Sequence, residues 1–241
     1  MNILNTFAIF LMSFGCIVGR NISNSISANY DIIKLNSTNF LLIKDEITSK
    51  TASDFIYELN KSYNKDLYVY LDTPGGSVED GNKIISEVKK YNLKCIVDRA
   101  YSMGFAILQA CKERLILPHG KLMQHQISYG LRNENSKVLS YIKFINQMER
   151  EMVEFQANRI KMHPETFRQK TMNEWWTFGK NAVRQNIVDK IVDVKCDSKV
   201  TNQNFTREDR FFKHTYSKCP LISDPIASEK VKNSDNLPFF V

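Results

Sequence analysis

Three short stretches carry residue types that could do covalent chemistry together. The segment "AYSMGFAILQAC" starts at Ala100 and sets one serine, Ser102, directly before Met-Gly at the mouth of an almost entirely apolar run. A hydroxyl there meets the unpaired N–H groups and positive dipole end of the following helix, which favour a developing anion. Read alone, Ser102 is better taken as an ordinary N-cap serine. The segment "KLMQHQIS" ends an apolar strand on His125, 23 residues further on. In a parallel sheet the ends of neighbouring strands meet at one edge, so a base at that end could reach the serine. The segment "LDTPGGSV" places Gly75 and Gly76 in a strand-to-helix turn. Glycines permit positive φ there and let a backbone N–H face a ligand with no Cβ in the way. No Lys-Ser/Thr follows, so the turn is no P-loop.

The elements that must position these residues follow from periodicity. Short β-type runs surround Ile32 and Phe40, and "DLYVYLD" is a β-branched, aromatic strand. Between them Ala52, Phe55, Ile56 and Leu59 recur at helical spacing. A helix over 77–91 is expected, with Ser77 as N-cap, Asp80 at N3, and Val78, Ile85 and Val88 facing inward. Strand "KCIVD", the Ser102 helix, and two strands "RLILP" and "KLMQHQ" come next. That alternation argues for an α/β core with parallel crossovers. One long helix is expected over 135–162, with Val138, Ile142, Ile145, Met148, Met152 and Phe155 on its apolar side. A short helix follows Pro164.

Gly-Gly, Ser-Met-Gly and His-Gln occur in that order, each at the end of a strand. The arrangement resembles the proteolytic subunit of the caseinolytic (Clp) protease family of serine peptidases. The family's marks are a strand followed by Pro-Gly-Gly, then Ala-x-Ser-Met-Gly, then Met-x-His-Gln. Here they read "LDTPGGSV", "AYSMGFAILQAC" and "LPHGKLMQHQ", and the resemblance runs over 40–194. It implies an α/β ClpP/crotonase-like spiral of ββα units, with the long helix as the family's handle. It implies Ser102 as nucleophile, His125 as general base, and the N–H groups of Gly76 and Met103 as oxyanion hole. No metal or cofactor enters such chemistry. The third member departs from the family pattern. The family has an aspartate, and counting back from Ala182 in "NAVRQNIVDKI" finds Glu174, with Asn173 beside it. A glutamate can orient the imidazole and stabilise its cation. An asparagine orients without charge, and a site with no third member is the remaining option. Asp189 and Asp193 read as structural.

The implied activity is serine endopeptidase hydrolysis of peptides or unfolded proteins. A catalytically impaired binding or structural subunit is the alternative from another class. An acyl-CoA enzyme of the crotonase type would not need Ser-Met-Gly with a His-Gln strand, and a Ser-Lys dyad does not fit a matched His125.

Composition bounds the setting. The chain has 241 residues, enough for one domain plus tails. Its net charge of +7 is scattered among acids rather than gathered into a stripe, so nucleic acid is not an expected partner. Residues 4–19, "LNTFAIFLMSFGCIVG", are uncharged and apolar and end at Arg20. They suit a signal peptide over 1–19, with a membrane anchor or a buried segment as alternatives. Asn21, Asn36, Asn60 and Asn204 stand in N-x-S/T sequons. Together these make secretion or the ER lumen the expected location, where an ATP-driven partner would be missing. The long helix suggests a homo-oligomer. A peptidase domain over 20–196 and a polar, poorly packed extension over 197–241 complete the outline. Cys196 and Cys219 flank that extension and could staple it. Cys95 and Cys111 lie in apolar runs and read as buried thiols.

Overall fold

The computed structural model describes residues 29–231. The leader expected over 1–19, and the sequon at Asn21, lie outside the described residues. In chain order the elements are β1 (Asp31–Leu35), β2 (Phe40–Lys44), α1 (Ser49–Lys61), β3 (Tyr68–Thr73), α2 (Val78–Lys90) and β4 (Lys94–Tyr101). Then come α3 (Met103–Ala110), β5 (Arg114–Gln124), α4 (Asn135–Arg159), α5 (Pro164–Thr171), β6 (Trp175–Phe178), α6 (Gly179–Arg184) and β7 (Lys190–Cys196). The chain continues through α7 (Ser198–Asn202), β8 (Asn204–Glu208), β9 (Phe212–Ser217) and β10 (Ala227–Lys230).

The seven-stranded sheet runs β1-β7-β5-β4-β3-β2, with β6 joined to β5. Every pairing is parallel except β5 with β6. This is the α/β architecture that the strand–helix alternation demands. The helices bury their stripes on one face. Thr48 caps α1 by accepting from the Thr51 N–H, and Ala52, Phe55 and Leu59 turn inward. Ser77 caps α2 by accepting from the Asp80 N–H, and Ile84, Ile85 and Val88 do the same. On the other face of the sheet Tyr70, Ile96, Leu115 and Leu117 form a second apolar cluster with Leu35 and Val192.

A register shift between β4 and β5 prepares the site. The β4–β5 ladder pairs Val97 with Ile116, then resumes with Arg99 opposite Lys121. Residues 117–120 on β5 therefore stand against the single residue Asp98 on β4, and "RLILP" and "KLMQHQ" form one irregular strand rather than two. The pairing ends with Tyr101 opposite Met123, one residue short of Ser102 and two short of His125.

Arg114 anchors the opposite end of β5. It is 1% exposed. Its guanidinium donates to both oxygens of Asp189, to Gln109 Oε1 and to the Asn186 carbonyl. Burial alone would raise the Asp189 carboxyl. The hydrogen bonds and charge of Arg114, with the charge of Arg159, outweigh it and hold Asp189 below its usual range.

One cysteine pair differs from expectation. Cys95 and Cys111 are not thiols but a disulfide, with Cα atoms 5.8 Å apart. Helix α3 runs back along β4 and returns Cys111 to the strand's start, and apolar flanks cannot tell a buried thiol from a buried disulfide. Cys196 and Cys219 form the second bridge. The described part of the extension, residues 197–231, is ordered into strands yet stays largely exposed, above all β8 and β10. Its three strands form an antiparallel sheet, β8-β9-β10, in which Phe205 stacks on Tyr216. It meets the main domain through Arg207 and Asp45 at 2.8 Å and through Lys44 Nζ donating to the Ser223 carbonyl. The long helix ends at Arg159, earlier than its periodicity suggests. It buries Ile145, Val153 and Ala157, while Leu139 and Phe144 stay about half exposed.

Asp189→Asn should lower the thermal midpoint near neutral pH. A carboxylate whose folded pKa is depressed stabilises the fold above its unfolded pKa, and that contribution disappears as pH falls through the folded value. The gap between native and variant midpoints should therefore close in acid. A gap independent of pH in thermal melts would contradict this account of Asp189.

Candidate active site

Strand β4 delivers Ser102 and the sheet itself fixes its place: the Ser102 N–H donates to the Met123 carbonyl at 2.8 Å. The chain then turns abruptly into α3. Ser102 has φ 52° and ψ −115°, a conformation that costs a non-glycine residue about 1–3 kcal/mol. It occupies the N-cap position of α3 but makes no side-chain cap hydrogen bond. Its hydroxyl is committed elsewhere, with Oγ 2.8 Å from Nε2 of His125.

His125 follows the last residue of β5, so it stands beside Ser102 on the neighbouring strand. Its N–H donates to Gln124 Oε1 at 3.0 Å. The next residue holds the segment down, since the Gln126 N–H donates to the Thr171 carbonyl and its side chain to the Met172 carbonyl. With Nε2 unprotonated the imidazole accepts from the hydroxyl, which is the geometry of a base poised on a nucleophile.

The Gly-Gly turn packs directly on this elbow. Gly75 has φ 96°, and a Cβ there would lie 2.7 Å from Ser102 Cβ and 3.0 Å from the Met103 nitrogen. The turn is pinned on its outer side: the Ile47 N–H donates to the Gly75 carbonyl and the Ser77 N–H to the Ile47 carbonyl. Gly75 N–H donates to Thr73 Oγ1, whose hydroxyl donates to the Asp45 carbonyl. These bonds use the groups on either side of the Gly76 N–H. Among the described residues neither the Gly76 nor the Met103 N–H has a recorded acceptor. Both residues line one cavity of about 300 Å³, shared with Ser102 and His125. Two free amides and a helix N-terminus beside a nucleophile can stabilise an oxyanion.

Four of the five residues singled out from the sequence thus meet at this cavity. Glu174 lies apart in its contacts: its carboxylate accepts from Trp176 Nε1 at 2.8 Å. No hydrogen bond from Glu174 or Asn173 to His125 is recorded among the described residues. The strand register still bears on it. Gln124 pairs with Trp175, and the next step of that antiparallel ladder would set Glu174 opposite His125. Sequence reasoning missed Trp176, which holds Glu174 and sits edge-on to Tyr101 with ring centroids 5.0 Å apart. In extended chain an aromatic two residues from a candidate acid is a same-face neighbour, and that spacing was the available signal. It also missed Gln124 and Gln156, two buried amides that line the cavity wall.

Comparison with known proteins gives the chain's family. Residues 24–195 match the family model described as Clp protease. The chain belongs to the Clp protease family. It is 27% identical over 183 residues to ATP-dependent Clp protease proteolytic subunit 2 of Corynebacterium diphtheriae, covering 73% of this chain and 90% of that protein. It is 27% identical over 164 residues to proteolytic subunit 1 of Prochlorococcus marinus, covering 64% and 84%. It is 26% identical over 154 residues to the proteolytic subunit of Oltmannsiellopsis viridis, covering 62% and 79%.

Gly75→Ala should cut the rate of Ser102 labelling by a fluorophosphonate by about a hundredfold, the scale of a disturbed oxyanion site. Gly130→Ala, where a Cβ meets nothing within 4 Å, is the control and should label as the native protein does. Equal labelling of both variants would show that the turn does not support the elbow.

Proposed function

We propose that the chain is a serine endopeptidase that hydrolyses peptides or unfolded proteins through an acyl-enzyme. The observation that carries this reading is the 2.8 Å contact between Ser102 Oγ and His125 Nε2 at the mouth of α3. In the first half-reaction Oγ attacks the scissile carbonyl carbon and its proton passes to His125 Nε2. The carbonyl oxygen becomes an anion held by the N–H groups of Gly76 and Met103. Collapse of the tetrahedral intermediate breaks the C–N bond, and the leaving amine takes the proton from His125. Water then attacks the Ser102 ester with the same base, and the acid product leaves with Ser102 restored. Glu174 is the proposed orienting carboxylate, acting once its side chain turns from Trp176 toward the imidazole. A catalytically impaired subunit would have no need of a hydroxyl withdrawn from helix capping and bonded to an imidazole.

The proposal extends to setting. The relatives are named as subunits, and a half-exposed Leu139 and Phe144 on the long helix support a homo-oligomer. Two disulfides support an oxidising compartment such as the ER lumen or the cell exterior, in keeping with a leader at the N-terminus. In that setting the enzyme works without an ATPase, on chains already short or unfolded.

A fluorophosphonate probe should label the native protein on the Ser102 peptide, and Ser102→Ala should remove the label. His125→Ala should slow peptide hydrolysis by at least about a thousandfold, since an unassisted hydroxyl is a poor nucleophile. Glu174→Gln should slow it strongly while Asn173→Ala does not. A folded native protein that neither labels nor cleaves peptides would overturn the proposal. Equal activity of Glu174→Gln and the native enzyme would reduce the triad to a dyad.

A further inference from the structure

The wall of the cavity carries a polar feature that acyl transfer does not require. Gln124 and Gln156 are 5% and 3% exposed, and both line the same cavity as Ser102. Their amides are joined: Gln124 Nε2 donates to Gln156 Oε1, and Gln156 Nε2 donates to the Met152 carbonyl at 2.9 Å. Gln124 Oε1 accepts from the His125 N–H, which fixes the orientation of the first amide and, through it, the second. Each amide nitrogen has two N–H groups and has used one. The same cavity takes apolar lining from Met103, Ala106, Val153 and Phe167.

We infer that the Gln124–Gln156 pair selects a neutral side chain with a hydrogen-bond acceptor, glutamine or asparagine, at the substrate position just before the scissile bond. This rests on the peptidase reading of the same cavity. The substrate side chain nearest the reacting carbonyl lies nearest Ser102 and His125, and Gln124 is the residue before His125. A buried N–H left without an acceptor costs more than the net gain of making the bond, so an apolar side chain seated against the pair is penalised. Acidic side chains are disfavoured because two carboxylates, Glu149 and Glu165, line the cavity against one guanidinium, Arg168. The Glu149 carboxylate lies 4.0 Å from Arg168 Nη1, which leaves Glu165 without a recorded ion pair among the described residues. A lysine head carries only donors and so cannot accept from the pair's remaining N–H groups. Gln124 and Gln156 are specificity residues in this reading and take no part in proton transfer.

The test uses the full chain and a panel of matched peptides that differ only in that residue, with Gln, Leu, Lys or Glu. The native protein should prefer Gln over Leu by about tenfold in kcat/KM, the size of one net hydrogen bond. Gln156→Leu should erase or reverse the ratio while Ser102 still takes up fluorophosphonate. A native preference for Leu or Lys overturns the inference and leaves the peptidase reading standing, because peptides are still cut. The same holds if Gln156→Leu labels normally and keeps the native ratio. If that variant does not fold, the native panel and Gln156→Met decide the matter. A native protein that cuts no peptide and takes no probe removes both readings together.

Discussion

The amide of Ser102 donates to the carbonyl of Met123, and that single 2.8 Å bond between neighbouring strands is what the site rests on. It is the last rung between β4 and β5. Beyond it each chain supplies one reactive group: a hydroxyl on one side, an imidazole on the other. Because the rung fixes two strand ends, the distance between Oγ and Nε2 is set by the sheet rather than by flexible loops. Sheets hold such distances well, since every strand is braced by a neighbour. The three-residue surplus on β5 shifts the register so that the rung falls where it does.

That placement has a conformational cost. Ser102 adopts a backbone geometry that only glycine reaches freely, and it gives up the cap bond that a helix N-terminus normally receives. The surroundings offset this. Helix α3 buries every residue from Met103 to Gln109, the Cys95–Cys111 bridge closes the strand–elbow–helix unit, and Gly75 leaves room for the turn. Without the apolar packing of α3, the chain at residue 102 would relax toward an ordinary capped helix, and the hydroxyl would turn to backbone N–H groups instead of His125.

Much of this was legible in the sequence. The alternation of strand and helix predicted the parallel sheet because each apolar run had the period of its element. Ser102 and His125 were legible because both follow strands, and strand ends in a parallel sheet converge. The fate of Glu174 was not, because an alignment fixes position along a strand but not which neighbour a carboxylate chooses. Here Trp176, on the same face, offers an N–H. The cysteine pairing at Cys95 and Cys111 was misread because it depends on α3 folding back on β4, a tertiary fact. The antiparallel sheet of the extension was hidden by polar strands such as "NFTRE", which bury little and so show weak alternation. Gln124 and Gln156 were passed over because their partnership spans β5 and α4.

The most direct measurement of the central claim is active-site alkylation by a peptidyl chloromethyl ketone, followed by peptide mapping. Such a reagent is attacked at its carbonyl by a serine and at its methylene by an imidazole, so it reports both groups at one carbonyl. The account predicts a stable adduct on His125 alone among the four histidines, and its loss in Ser102→Ala. Alkylation of another histidine, or of His125 at the same rate without Ser102, would contradict the account.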